Sequence, residues 1–182
     1  LAQIEIFYED GCKDTLVTGS TWDWSNDGPI RFADNKDGEI VEAFRIPSYG
    51  GKAKVTSCDV IPCASNNVPV TEHEWFHPVI TKAPDGKLLL DFGQNIAGYA
   101  AFSFNAEEGQ QLTLRFGEML DEAGNLTLKN IQCSNKKVTT PLQEIDYICK
   151  AGRNDYRTTF AVFGFRYAEA DTELELSPED VT

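Results

Sequence analysis

The sequence predicts an all-β protein, an antiparallel β-sandwich of jelly-roll or concanavalin-like type. Apolar and polar residues alternate with period two along most of the chain, which marks strands with one buried face. Turn-forming pairs break this alternation at short intervals. No stretch shows a helical period; the best helical candidate, residues 105–111, is short and polar.

Taken in order, Ile4, Ile6 and Tyr8 alternate with Gln3, Glu5 and Phe7, and Glu9-Asp10-Gly11 then turns the chain. Asp27-Gly28-Pro29, Asp37-Gly38, Gly50-Gly51, Asp85-Gly86 and Gly124-Asn125 supply further turns. Leu112, Leu114 and Phe116 alternate with Gln111, Thr113 and Arg115, and Tyr156, Thr158, Phe160 and Val162 repeat the pattern. The phase shifts at Phe163-Gly164-Phe165, so a bulge is expected at Gly164. Residues 47–69 are rich in Pro, Gly, Ser and Asn and read as the loosest connection, and the acidic tail from Asp171 to Thr182 is expected to fray. Residues 1–182 read as a single β-sandwich domain, long enough to bury a core without disulfides or metal.

Composition narrows the partners. Asp and Glu total 29 against 16 Lys and Arg, a net charge of −13, which repels nucleic acid and anionic membrane. No apolar run approaches the ~20 residues of a membrane span. Cys12, Cys58, Cys63, Cys133 and Cys149 are odd in number and none are spaced C-x-x-C; they read as reduced, partly buried thiols. The chain opens without an initiator Met and reads as cut from something longer.

Three local patterns bear on chemistry. His73-Glu74-Trp75-Phe76-His77 matches H-E-x-x-H, which on a helix serves a zinc hydrolase. Its flanks are strand-like and Pro78 follows directly; in a strand the two His would stand roughly 13 Å apart, too far to share a metal. Asp34-Asn35-Lys36-Asp37-Gly38-Glu39 offers oxygen ligands suited to calcium through Asp34, Asp37 and Glu39, without EF-hand spacing; the alternative is a solvated acidic turn. Trp22 and Trp24 share one face of a strand and fit either a core or a sugar-stacking role.

The most distinctive stretch is Asp91-Phe92-Gly93-Gln94-Asn95-Ile96-Ala97-Gly98, followed by the hairpin Arg115 to Leu126, then Asp146-Tyr147-Ile148 and Phe163-Gly164-Phe165-Arg166-Tyr167. This ordered set resembles the β-sandwich region of bacterial α-L-rhamnosidases. Upstream, Tyr8-Glu9-Asp10-Gly11, Trp22, Gly28-Pro29-Ile30 and Asp37-Gly38-Glu39 resemble the jelly-roll segment that precedes it. On this resemblance residues 1–46 match the end of the upstream jelly roll and residues 70–176 the following β-sandwich. It implies an accessory fragment of an inverting glycoside hydrolase acting on terminal L-rhamnose. The catalytic carboxylates would lie in a separate helical domain, so the chain alone would be inactive. Its partners would be the catalytic and other domains of the same polypeptide. A bacterial source is implied; periplasmic, secreted and cytoplasmic settings stay open. Some members bind rhamnose and calcium through a neighbouring Asp and Asn, which Asp34 and Asn35 match by type. A calcium-dependent carbohydrate-binding module using Asp34, Asn35, Trp22 and Trp24 is the alternative function. The Gln94 and Asn95 amides are expected to tie down a turn rather than to hold a sugar.

Overall fold

Alternation becomes strand pairing over most of the structure, a computed structural model that describes residues 2–57, 59, 61, 63, 66, 68, 71–131 and 143–182. The strands begin with β1 Gln3–Phe7, β2 Lys13–Val17, β3 Asp23–Trp24, β4 Ile30–Asp34, β5 Gly38–Glu42 and β6 Gly51–Lys52. They continue with β7 Val79–Lys82, β8 Leu88–Gly98, β9 Ala101–Ala106, β10 Gln111–Gly117, β11 Met119–Leu120 and β12 Leu126–Thr127. The last three are β13 Glu144–Ile148, β14 Gly152–Arg157 and β15 Phe163–Thr172. No helix among the described residues is long and apolar enough to cross a membrane.

The chain divides into two compact units, Leu1–Gly28 with Ile46–Thr71, and Pro29–Arg45 with Glu72–Thr182. In the first, β1 pairs antiparallel with β2 and β3 with β6. Cross-strand partners share a face. Lys13 pairs with Glu5 at 2.8 Å on one face of the β1–β2 ribbon, and Ile4, Ile6 and Leu16 stand on the other.

The second unit is the sandwich. Seven strands form one sheet in the order β4-β5-β13-β10-β15-β8-β7, and β9 and β14 form the facing pair. Every pairing is antiparallel except β5 with β13, which is parallel. Inward residues interlock as aromatic rings. Phe102 meets Tyr147 edge-on at 4.9 Å, Phe116 stacks on Phe163 at 4.9 Å, and Phe92 meets Phe165 edge-on at 5.3 Å. Leu90, Leu112, Leu114, Ile145 and Ala168 fill the space between them and are fully buried. The outward face of the large sheet carries charge instead. Arg115 pairs with Glu144 and reaches Glu169, which Lys87 also contacts at 2.6 Å.

Several sequence expectations change. Residues 105–111 make no helix: β9 ends at Ala106, and a tight turn held by the Gln110 amide donating to the Glu107 carbonyl leads into β10. Gly109 takes φ +89° there. The tail does not fray. Val181 is buried and bridges Phe102, and Ala101 and Thr182 exchange backbone hydrogen bonds, because β9 has a free edge to offer. Asp180 accepts from the Ser177 amide and hydroxyl and fixes the short turn before it. Cys149 is buried as a thiol, but Cys12 and Cys63 are exposed, and Cys58 and Cys133 lie outside the described residues.

Candidate functional site

The bulge falls two residues past Gly164. The register of β15 against β8 jumps between Phe165, opposite Ile96, and Tyr167, opposite Asp91. Arg166 alone therefore faces Phe92, Gly93, Gln94 and Asn95. Four residues against one must loop away from the sheet, and three contacts fix how they do so. Arg166 grips Asp91 with a two-pronged pair, Nε to Oδ1 at 2.9 Å and Nη2 to Oδ2 at 3.0 Å. Asp91 Oδ1 also accepts the Gly93 amide at 2.8 Å, where φ is +81°. Phe92 turns into the core. Asp91, not the amides, thus ties the turn, and Gln94 and Asn95 stand exposed at its tip.

The Arg166 guanidinium holds the Asp91 carboxyl below its usual range, with the Gly93 amide assisting. A depressed folded value gives stability that is complete above the unfolded carboxyl value, about 3.9, and is lost as pH falls through the folded value. Asp91→Asn is therefore expected to lower stability at pH 7 by under about 1 kcal/mol, since the pair is partly exposed. It should also flatten the acid loss below about pH 4, the unfolded carboxyl value. Urea unfolding midpoints of both proteins across that range check this.

The Asp34–Glu39 turn is held by its own hydrogen bonds. Asp34 Oδ1 accepts the Lys36 and Asp37 amides, both at 2.9 Å, and these bonds lower its pKa, the Asp37 amide most. Asn35 is exposed, and its carbonyl accepts the Val162 amide at 3.3 Å. Glu39 points the other way and is fully buried. Its carboxylate accepts the amides of Thr159, Phe160 and Ala161 at 2.9, 2.6 and 2.9 Å, and the Tyr156 hydroxyl. Burial, then this bond, pushes the Tyr156 hydroxyl well above its usual pKa. Among the described residues no three His, Cys, Asp or Glu side chains converge on a metal position. Asp34, Asp37 and Glu39 as placed do not fit calcium, because two of the three are spent on the fold. Glu39 is the residue whose role sequence reasoning missed. Its signal was its phase: it lies two residues before buried Val41, on the inward face.

Residues 71–78 form no helix, which removes the zinc-hydrolase geometry at His73, Glu74 and His77. His77 instead places Nδ1 3.0 Å from the Pro178 carbonyl and 3.2 Å from that of Val181, an N–H donor holding the tail. Nearby in sequence, Glu72 accepts from the Tyr99 hydroxyl at 2.6 Å and from Arg157. Trp22 and Trp24 belong to the first unit and are both exposed, whereas Asp34 and Asn35 belong to the second.

These features define a concanavalin-like β-sandwich with a buried aromatic core and a bulge between β8 and β15. Residues 81–182, more than half of the chain, match the bacterial alpha-L-rhamnosidase concanavalin-like domain, and the chain belongs to that family. It is 30% identical to an α-L-rhamnosidase of Alteromonas sp. (strain LOR), over 93% of this chain and 19% of that protein. It is 27% identical to one of Streptomyces avermitilis, over 93% of this chain and 17% of the other. The chain thus spans less than a fifth of these curated relatives. A crystal structure of Streptomyces avermitilis α-L-rhamnosidase complexed with L-rhamnose matches with a TM-score of 0.80 at 25% identity, covering 98% of this chain and 18% of that one. The α-L-rhamnosidase from Dictyoglumus thermophilum shares the fold, with a TM-score of 0.74 at 23% identity over 98% of this chain and 21% of its own.

Proposed function

We propose that this chain is an accessory, non-catalytic β-sandwich region of an α-L-rhamnosidase, a glycoside hydrolase that removes terminal L-rhamnose with inversion. Its partners are the catalytic and other domains of the same polypeptide, against which it packs. One observation carries the reading: nearly all of this chain matches proteins of that one activity while covering less than a fifth of each.

Carboxylates among the described residues serve the fold: Asp121 accepts the Ala123 and Asn125 amides at 3.0 and 2.9 Å and shapes its own hairpin. The test is hydrolysis of an aryl α-L-rhamnoside by the 182-residue chain and by a polypeptide carrying its native flanking sequence. The chain alone is expected to release nothing above the uncatalysed rate, whereas the longer polypeptide should turn the substrate over.

A further inference from the structure

We propose that the outward face shared by the end of β8 and the start of β15, with the loop of residues 158–162 at its head, is the surface on which another domain of the same polypeptide docks; the choice of occupant rests on the accessory-region reading above. Strand register defines the face. Phe163 lies opposite Gly98, Gly164 opposite Ala97 and Phe165 opposite Ile96. Phe163 and Phe165 are buried in the core, so the Gly164–Ala97 pair belongs to the other side of the sheet. A methyl group on Gly164 would meet only a Glu118 carboxylate oxygen, at 3.6 Å, so this stretch of the face is open and flat. It is also uncharged. No Asp, Glu, Lys or Arg occurs in residues 92–106 or 158–165, in a chain in which 25% of residues are charged. The other half of the same face carries Arg115, Glu144, Glu169 and Lys87. Loss of charge marks the centre of a protein interface. The charged groups that border the open stretch are already engaged, Arg166 with Asp91 and Glu118 with the Asn130 side-chain amide at 3.0 Å.

Phe160 and Val162, in the loop that leads into this face, are 57% and 47% exposed. A single exposed apolar side chain is ordinary; two on one fixed loop beside an uncharged face are not. The loop is fixed before any partner arrives. Glu39 accepts the Thr159, Phe160 and Ala161 amides, and the Val162 amide donates to the Asn35 carbonyl at 3.3 Å. A buried carboxylate is a costly fastening, since well-packed apolar residues commonly stabilise a core as well or better. What it adds here is one loop conformation, so the Phe160 ring can enter a partner's pocket without the usual cost of ordering. Aromatic anchors of this kind carry much of the energy of an interface. Length argues for the occupant. Relatives that match 93% of this chain hold it as less than a fifth of their own length, so most of each is further polypeptide. The matching surface on that polypeptide is an apolar cleft wide enough for a phenyl ring.

Amide hydrogen exchange of the 182-residue chain, beside that of a polypeptide carrying its native flanking sequence, tests this. Residues 93–98 and 158–165 are expected to exchange at least about tenfold more slowly in the longer polypeptide. Phe160→Ser, which removes the anchor, and Ala97→Arg, which puts bulk and charge on the flat stretch, should return both segments to the rates of the short chain. Neither variant should move the thermal midpoint of the 182-residue chain by more than about 3 °C, because both side chains are exposed there. Phe160→Ser decides the matter if Ala97→Arg does not fold. Equal exchange of the two segments in both polypeptides, or protection that survives Phe160→Ser, overturns the proposal. Protection that appears in the 182-residue chain as its concentration rises means that a second copy covers the face, and overturns it as well. Turnover of an aryl α-L-rhamnoside by the unsubstituted longer polypeptide keeps the two readings apart. Turnover without protection sinks the docking face alone, and protection without turnover sinks the rhamnosidase reading alone.

Discussion

Glu39→Ala is expected to lose about 4 kcal/mol of stability, and Glu39→Gln about 2 kcal/mol. Three consecutive backbone amides and one phenol donate to this single buried carboxylate, so its removal strands several donors away from water. Each buried unsatisfied donor costs roughly 1–3 kcal/mol, and bonds to a charged acceptor are the stronger kind. Glutamine keeps one oxygen for the amides but forfeits the charge and turns an NH2 toward Tyr156, which explains the smaller loss. Thermal unfolding should show midpoints lower by about 10 °C or more for the alanine variant. A change under about 1 kcal/mol would mean that the carboxylate does not hold residues 159–161. Phe160 is 57% exposed immediately beside the anchored amides.

Gly38→Ala should be more damaging still, with more than about 4 kcal/mol lost and little folded protein recovered. Gly38 opens β5 at φ +126°, and a Cβ there would fall 1.8 Å from the Glu144 carbonyl oxygen. No rotamer relieves that overlap, so β5 would have to leave β13, and Glu39 would leave its donors with it. Gly86→Ala provides the contrast. Gly86 also has a positive φ, +97°, but open space around it, and should cost only about 1 kcal/mol. Equal losses at the two glycines would show that backbone conformation, not the close approach of β5 to β13, sets the cost.

Much of the sandwich was legible because a half-buried strand writes its faces into the sequence at period two. Leu112, Leu114 and Phe116 do point inward, and Thr113 and Arg115 outward. Neighbour order was not legible. Period two is the same for parallel and antiparallel partners, so the parallel pairing of β5 with β13, across a hundred residues of chain, left no local mark. The bulge was read from glycine but is set by Arg166, whose need to reach Asp91 shows only once β8 and β15 are side by side. Asp34 and Glu39 looked alike as carboxylates in a turn. Their opposite fates follow from strand phase, which aims one at local amides and the other into the core. The shared face of Trp22 and Trp24 was readable from their spacing. The glycine floor beneath Trp24 was not, because Gly50 is distant in sequence.

The central claim is that this sandwich serves an α-L-rhamnosidase. Its most direct test is proton NMR of an aryl α-L-rhamnoside incubated with a polypeptide that carries this chain and its native flanking sequence, beside the 182-residue chain alone. The longer polypeptide is expected to release L-rhamnose, appearing first as the β-anomer, and the chain alone none. Release by the 182 residues themselves, or none by the longer polypeptide, would contradict it.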